Sequence, residues 1–505
     1  MPQDSGPSER RAIEFRRSSR WLAVLILTVY GALLFAASDR LTIFEDEAFI
    51  IIMAGRNAPS QTIDGFFHGN VLHEHPPLYD LFLSVWLSLT DAKQELLRLP
   101  SVVFYCLAVW FIGASAQILW GRRLLGILLG VAWPAAFLLG PPAHWSAFAM
   151  LGIAGMTYGY LRWRRSQHTG DLLVFSCFTL VLCYTNYLGL AFVGVLGLHF
   201  LLSRPPAAAI RQAAGVALLT LLALLPLLQV FLRILVGRAS APRSLTRVAA
   251  EGVYYAWAIP VSEALAPWHA PALLALVGLG LLTWLAVRTR EPLWILGLLA
   301  SVYAAALSVG ALNGRYLGLY GPWMLLYLTG LLAHTHRRRT ALVGLLLVFG
   351  SGWLGVITQK WPATLRYQEP WQEVTAAALD LSGPGSLILC NHPSVYLYAY
   401  YQLGEKDWPN YLRPWFPRGG RIFAQAPEWR EVVKDAERIV HVRSVAVKDG
   451  EREFEAYLAE HYRLLESRRF LEDDAAPLKQ RFLTNQLDVR IEIRAYERLT
   501  ESGAS

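Results

Sequence analysis

The sequence has little charge for its length, and this shortage narrows the class of protein. Only 17% of the 505 residues are charged, whereas 54% are hydrophobic. Soluble chains carry a larger charged share, and apolar segments long enough to span a bilayer recur through the first two-thirds of the sequence. The sequence therefore predicts a polytopic membrane protein.

Cysteine is also scarce, and the four present exclude two kinds of site. Their positions give neither a disulfide framework nor a zinc-ligand spacing; they are Cys106, Cys177, Cys183 and Cys390. Internal repeats and glycine-rich phosphate loops are also lacking. The formal net charge is +8, but most basic clusters lie in short loops between apolar segments, where the positive-inside rule explains them. Nucleic acid is therefore not expected as a partner.

The N-terminus combines a basic segment with an apolar one. "RRAIEFRRSSR" precedes Trp21, and an apolar run continues to about Ala37. The charged stretch Ser38-Asp39-Arg40 follows, instead of the small-residue cleavage site that a signal peptide needs. We expect residues 1–20 to be a basic cytoplasmic tail and the apolar run to be an uncleaved first span.

Ten more candidate spans follow the first one. They lie at roughly 99–119, 124–140, 143–161, 171–184, 186–203, 211–236, 271–287, 292–312, 316–334 and 340–358. With about eleven spans, the basic loops can all be cytoplasmic. Residues 21–358 then form the transmembrane module, with a first outside loop at 38–98. Segment 77–89 is short and contains Asp80, so it fits an interfacial or re-entrant helix; a hairpin with an extra span is the alternative.

From Gln359 the composition becomes polar, and no further apolar run has the length of a span. Short β-rich runs at 386–390, 421–424, 438–442 and 489–497 alternate with helix-like stretches at 370–381, 393–403, 426–436 and 451–469. This alternation predicts a soluble extracytoplasmic α/β domain over 359–505.

The first outside loop concentrates ionisable residues. They are Asp46, Glu47, Asp64, His68, His73, Glu74 and His75. A solvated loop would explain them. However, "AFIIIMAG" directly after Glu47 has the character of a membrane-surface helix, so at least one carboxylate is expected at the interface. Ionisable residues at the border of the apolar phase favour a functional site.

Several motifs together resemble a known family. They are "DEA" (46–48), "HEHPPLYDLFLSVWLSL" (73–89), "ELLRLPSVVFYCLAVWFIG" (95–113), "YTNYLGL" (184–190), "GRYLGLYGPWMLLY" (314–327) and "EPWQEVTAAAL" (369–379). In this order, and on the predicted outside face, they resemble glycosyltransferase family 39, whose members have the GT-C fold. That family includes protein O-mannosyltransferases and the aminoarabinose transferases that modify lipid A.

The resemblance implies an inverting transfer of a sugar from a polyprenyl-phosphate donor. The acceptor would be a glycolipid, polysaccharide or protein on the outer side of a bacterial cytoplasmic membrane. Asp46 matches the family's base, and a partly desolvated carboxylate is a stronger base than a solvated one. A phosphate leaving group needs positive charge rather than a proton, and Arg315 matches the phosphate-contacting arginine. A snorkelling arginine that anchors a helix end is the alternative for Arg315.

The remaining candidate residues are assigned to substrate binding. They are Glu47, Glu74, His75, Asp80, Asn186 and Tyr316. The resemblance requires no cofactor. A divalent metal stays open because Glu74, with His73 and His75, supplies ligand types that zinc accepts, although their spacing is not diagnostic.

Two positions depart from the family's pattern. Many relatives carry a Gln-Glu-Ala-Arg-Met-Tyr-like stretch where this chain has His144 and Trp145, and Asn186 replaces the family's histidine. A non-catalytic scaffold or sensor of the same fold therefore stays an alternative. A transporter of lipid-linked sugars is another, but it predicts inverted repeats and charged residues near mid-membrane, which this sequence lacks.

Overall fold

The fold was analysed in a computed structural model of the chain. The structure describes residues 7–38, 43, 47–48, 50–51, 54, 59–68, 75–90, 93–238, 245–261, 270–308, 316–357, 371–382, 386–390, 433–434, 436–444, 449–472 and 490–499. Contacts divide the chain into two compact units. The first comprises Met1–Asp39, His75–Tyr79 and Glu95–Thr364, and the second comprises Arg40–Glu74, Asp80–Gln94 and Leu365–Ser505.

Helices account for most of the described chain up to residue 357. They are α1 (Pro7–Ser38), α2 (Pro59–His68), α3 (Leu78–Leu89), α4 (Leu99–Trp120), α5 (Arg123–Ala132), α6 (Ala136–Leu139), α7 (Trp145–Ser166), α8 (Thr169–Cys183), α9 (Gly189–Leu202), α10 (Ala207–Arg238), α11 (Leu245–Val261), α12 (Ala270–Arg288), α13 (Leu293–Ser308), α14 (Leu317–His334) and α15 (Arg338–Ile357). Each predicted span corresponds to one of these helices or, at 124–140, to two.

Three helices among the described residues have the length and apolar character needed to cross a membrane. They cover Ser19–Ser38, Gln94–Trp120 and Ala207–Leu232. Six shorter apolar helices accompany them, including α3, α5, α8 and α9. The molecule is thus a mostly helical chain with membrane-like helices, and the number of about eleven spans stays a prediction.

Glycines bring two pairs of helices into close contact. A Cβ atom on Gly159 of α7 would lie 2.6 Å from the backbone nitrogen of Phe175 in α8, and one on Gly155 would lie 2.5 Å from the Phe178 ring. In the same way, a Cβ on Gly278 of α12 would lie 2.6 Å from the carbonyl oxygen of Gly344 in α15. Small residues at these points let the helix backbones approach closely, which favours packing between membrane helices.

One apolar segment differs from its prediction. The span expected at 124–140 is interrupted because Trp133 takes an extended conformation before Pro134, as a residue before proline prefers. The Trp133 indole N–H donates to the carbonyl oxygen of Ile259 at 3.2 Å.

The polar C-terminal region contains a small mixed sheet. Its elements are α16 (Trp371–Leu381), β1 (Ser386–Cys390), β2 (Arg438–Ser444), α17 (Asp449–His461), β3 (Tyr462–Glu472) and β4 (Arg490–Arg498). The strand order is β1-β2-β4-β3, with β1 parallel to β2 and the other two pairs antiparallel. Phe454 and Leu458 of α17 pack with Ile439 and Tyr496 in the core. Three of the four predicted strands lie in this sheet, and 421–424 lies outside the described residues.

The prediction of a helix over 451–469 was wrong for the second half of that segment. The helix ends at His461, and Tyr462–Glu472 is a strand paired with β4 through two bulges. Leu, Glu and Arg dominate this segment and favour helix in isolation. Pairing with β4, whose Ile491, Ile493 and Ala495 are buried, overrides that local preference.

Candidate functional site

An aromatic cluster gathers residues that lie far apart in the sequence. The ring of His75 lies 4.9 Å from that of Trp145 and 6.2 Å from that of Tyr316. Trp145 and Tyr316 are 5.3 Å apart, and His144 is 4.7 Å from Trp145. Two predicted site residues, His75 and Tyr316, therefore meet around Trp145. We refer to His75, His144, Trp145 and Tyr316 as the aromatic cluster.

The start of α7 fixes the centre of this cluster. His144 is extended immediately before the helix, and its Nδ1 is 2.7 Å from the Ser146 hydroxyl. The His144 amide donates to the carbonyl oxygen of Pro142 at 2.7 Å. His144 and Trp145 are buried, whereas His75 and Tyr316 are half-buried. The cluster thus has a rigid interior side and a side that remains accessible.

Asn186 lies in a turn that holds the beginning of α3. The side-chain oxygen of Asn186 accepts a hydrogen bond from the backbone N–H of Leu188 at 2.9 Å. The backbone N–H of Asn186 donates to the Leu182 carbonyl oxygen at 2.8 Å. The Leu78 amide donates to the Tyr184 carbonyl oxygen at 3.0 Å. The side-chain NH₂ of Asn186 is buried and has no hydrogen-bond partner among the described residues. Asn186 therefore shapes the turn with its oxygen and keeps its NH₂ donors available.

Arg98 is a residue to which the sequence analysis assigned no role. It precedes α4, is only 6% exposed, and its guanidinium donates to the carbonyl oxygen of Ser38, the last residue of α1. Next to it, the Tyr79 and Ser101 hydroxyls are 3.5 Å apart. The detectable signal was an arginine two residues before Pro100, at the start of a long apolar segment, because a buried charge there requires a partner.

Two further predicted residues, Glu47 and Asp80, are described in the second compact unit. Glu47 is fully buried in a short helical stretch, and Asp80 lies half-buried in the first turn of α3. A buried carboxylate is costly unless it is paired or hydrogen-bonded. The Glu47 carboxylate therefore requires a partner, whereas the Asp64 carboxylate is exposed on α2 and can be hydrated.

Four candidates lie outside the described residues, namely Asp46, His73, Glu74 and Arg315. Their roles as base, possible metal ligands and phosphate contact stay predictions. No group of three or more His, Cys, Asp or Glu suited to a metal occurs within the part of the chain that the structure describes. Since His73 and Glu74 are not in that part, the metal interpretation stays open.

An apolar cavity of about 300 Å³ lies between α11, α12, α13, α14 and α15. Most lining residues are aliphatic; the full set is Ala256, Ile259, Pro260, Leu279, Leu282, Thr283, Ala286, Leu296, Leu299, Ala300, Tyr303, Met324, Tyr327, Leu328 and Val348. The Tyr303 hydroxyl donates to the Gly252 carbonyl oxygen. The buried Tyr327 hydroxyl has no hydrogen-bond partner among the described residues.

One helix connects the cavity with the aromatic cluster. Tyr316 stands at the beginning of α14, and Met324, Tyr327 and Leu328 of the same helix line the cavity. Met324 follows Tyr316 by eight residues, which corresponds to about 12 Å along a helix. Between them, the ring of Tyr320 lies 5.8 Å from that of Tyr303. The aromatic cluster thus lies at the beginning of α14, and the apolar cavity lies farther along the same helix.

Comparisons with known proteins show a weak likeness to solved structures. No protein-family model matches the chain, and no curated protein matches it. Among solved structures, the chain is similar to that of ArnT from Cupriavidus metallidurans bound to undecaprenyl phosphate. The match has 12% identity and a TM-score of 0.41 and covers 93% of this chain and 97% of that one. At this level the likeness assigns neither a family nor an activity to this chain.

Proposed function

We propose that this chain is an inverting glycosyltransferase that moves a sugar from a polyprenyl-phosphate donor to an extracytoplasmic acceptor. The observation that carries the proposal is the arrangement along α14. Tyr316 and the aromatic cluster mark its beginning, and the apolar cavity lies farther along the same helix. A lipid-linked sugar has the matching division into a polar head and an apolar chain.

The cavity suits the lipid part of such a donor. Its lining is almost entirely apolar, so moving an isoprenoid segment into it costs no polar desolvation. Its volume of about 300 Å³ holds only a part of a long polyprenyl chain, and the rest would lie in the bilayer. Pockets for small molecules combine this kind of apolar lining with a few polar groups.

The aromatic cluster suits the sugar part. Aromatic rings pack against the apolar faces of sugars, while ring nitrogens and hydroxyls hydrogen-bond to sugar hydroxyls. His75 and Tyr316 are half-buried and can provide such contacts. In this proposal Asn186, Glu47, Glu74 and Asp80 complete the binding of substrate.

The transfer itself follows from the chemistry of a phosphate leaving group. Asp46 accepts the proton of the acceptor hydroxyl as that oxygen forms a bond to the anomeric carbon. The bond from the anomeric carbon to the phosphate oxygen breaks, and the phosphate leaves with the electron pair. Arg315 stabilises the negative charge that develops on the phosphate. No second carboxylic acid is needed, in contrast to a glycoside hydrolase.

The proposal is tested by mass spectrometry of envelope glycans and glycolipids. A deletion strain is complemented with the wild type or with Asp46→Asn at matched membrane levels. We expect a defined sugar mass to be lost in the deletion, to return with the wild type, and to stay absent with Asp46→Asn. If Asp46→Asn restores everything that the wild type restores, Asp46 is not the base, and a scaffold or transport role is favoured.

The role of the cavity is tested by filling it. Ala300 and Ala304 are both exposed on α13, but only Ala300 is part of the cavity lining. Ala300→Phe is expected to weaken binding of a polyprenyl phosphate to the purified full chain, and Ala304→Phe is expected to leave binding unchanged. Equal affinities of the two variants would show that the cavity does not hold the lipid.

A further inference from the structure

Two arginines from different helical links share one tryptophan ring. The guanidinium carbon of Arg288, at the end of α12, lies 4.5 Å from the centre of the Trp284 ring. The guanidinium carbon of Arg337, directly before α15, lies 4.6 Å from the same ring. Both arginines are exposed, and Trp284 is half-buried. We refer to Trp284, Arg288 and Arg337 as the Arg–Trp–Arg group.

The group is held by the packing of α12 against α15. Gly278 and Gly344 bring these helices into close contact farther along the pair. Because Trp284 follows Gly278 while Arg337 precedes Gly344, the helices run antiparallel and their ends meet at the group. The Arg337 amide also donates to the Thr335 hydroxyl at 3.2 Å, and the Arg337 carbonyl oxygen accepts the Ala341 amide at 3.1 Å. The backbone at Arg337 is therefore fixed before α15 begins.

The two positive charges repel each other at this distance. Both guanidinium carbons lie within 4.6 Å of the same ring centre. The distance between them is therefore shorter than the Debye length of roughly 10 Å at 0.1 M salt. Neither guanidinium forms an ion pair with a carboxylate among the described residues, although the exposed Glu291 lies in the link after α12. The ring attracts each cation but does not neutralise it.

Two other arginines near a helix end, Arg162 and Arg164, are satisfied within the protein. The Arg162 guanidinium forms an ion pair with Asp171 at 2.9 Å, and that of Arg164 donates to the Ser203 hydroxyl. The Arg–Trp–Arg group therefore differs from an ordinary positive-inside loop: it presents two oriented guanidinium groups with unused donors. Guanidinium groups bind phosphate oxygens with charge-assisted, often bidentate hydrogen bonds.

We propose that the Arg–Trp–Arg group binds the headgroup phosphate of an anionic phospholipid in the cytoplasmic leaflet. The basic links place this end of α12 and α15 on the cytoplasmic side under the positive-inside rule. Tryptophan is enriched at the level of lipid headgroups, and basic pockets between membrane helices on this side bind anionic lipids. The lipid phosphate supplies the negative charge that the described residues around the two arginines lack.

The test is a lipid titration of the purified full chain followed by native mass spectrometry. Phosphatidylglycerol is compared with phosphatidylcholine for the wild type and for the double variant Arg288→Gln/Arg337→Gln. The matched control is Arg290→Gln/Arg339→Gln, which removes two exposed charges, each two residues after one of the two arginines of the group. We expect the first pair to weaken phosphatidylglycerol binding about 30-fold, equivalent to roughly 1 kcal/mol for each arginine. The control pair should have little effect.

Three outcomes would overturn the proposal. They are equal losses in the two double variants, equal binding of phosphatidylcholine by the wild type, and complete displacement of the lipid by inorganic phosphate. The last result would indicate a site for a soluble anion. If the glutamine pair does not fold, Arg288→Lys/Arg337→Lys retains the charge but not the planar guanidinium. An intermediate loss is expected for the lysine pair, and wild-type binding would contradict the assigned role of the guanidinium groups.

Discussion

Trp145 is in contact with the three other members of the aromatic cluster, and its indole N–H has no acceptor among the described residues. Trp163 on the same helix is equally buried, but its indole N–H donates to the Gln212 side chain at 3.0 Å. The two tryptophans therefore differ chiefly in one hydrogen bond.

Replacing each tryptophan by phenylalanine isolates that difference. Both Trp145→Phe and Trp163→Phe remove part of a buried ring, but only Trp163→Phe leaves a former acceptor unpaired. We expect Trp163→Phe to lower the free energy of unfolding by about 1 kcal/mol more than Trp145→Phe. Thermal unfolding of the two variants in the same detergent measures the difference. A larger loss for Trp145→Phe would mean that its N–H is bound in the isolated protein.

The sequence identified single site residues better than their arrangement. His75 was selected because ionisable groups at the border of an apolar phase are costly, whereas Asn186 and Tyr316 were selected from the resemblance to glycosyltransferase family 39. Their neighbours were not predictable, since the approach of His75 to Trp145 depends on how α3, α7 and α14 pack. Trp145 was noted only as a departure from the family's pattern, and the buried Arg98 was not selected because its motif is otherwise apolar.

At the scale of helices, contact between α7 and α8 depends on glycine. A Cβ on Gly159 would meet the backbone of Phe175, which cannot rotate away as a side chain can. Gly159→Ala is therefore expected to separate the helices and to cost about 1–3 kcal/mol of stability, as overpacking usually does. The loss is measured as a lower unfolding temperature in detergent.

Gly194 on α9 provides the control for that substitution. A Cβ at this position meets no atom within 4 Å, so alanine gains its higher helix propensity without a clash. Gly194→Ala is expected to be neutral or to stabilise the protein by up to about 1 kcal/mol. Equal destabilisation by both variants would mean that loss of glycine, rather than the close contact, is responsible.

Apolar length predicted the helices well because membrane helices need long apolar segments whatever they pack against. Local pattern was less informative elsewhere. The α11 sequence is only partly apolar, and β3 has helix-forming residues, so both depend on tertiary contacts. In β3, Arg463 lies opposite Glu497, and their side chains form an ion pair at 2.7 Å. Such cross-strand pairs stabilise a sheet but do not produce a periodic signal in one strand.

At the scale of the whole molecule, the compact units cut across the order of the sequence. Glu47, the described residue next to the proposed base, belongs to the same unit as the C-terminal sheet, whereas the residues that line the apolar cavity belong to the other unit. Removal of the C-terminal part should separate the functions of the two units.

Deletion of 361–505 provides this test. We expect the truncated chain to retain binding of a polyprenyl phosphate, because the cavity is built entirely from helices before residue 358. Transfer should be lost, because Glu47, the described residue next to the proposed base, loses most of the unit to which it belongs. Lipid binding is measured on the purified chain and transfer by glycan mass spectrometry. Wild-type transfer by a truncated chain that still binds lipid would show that the C-terminal part is not needed to position the base.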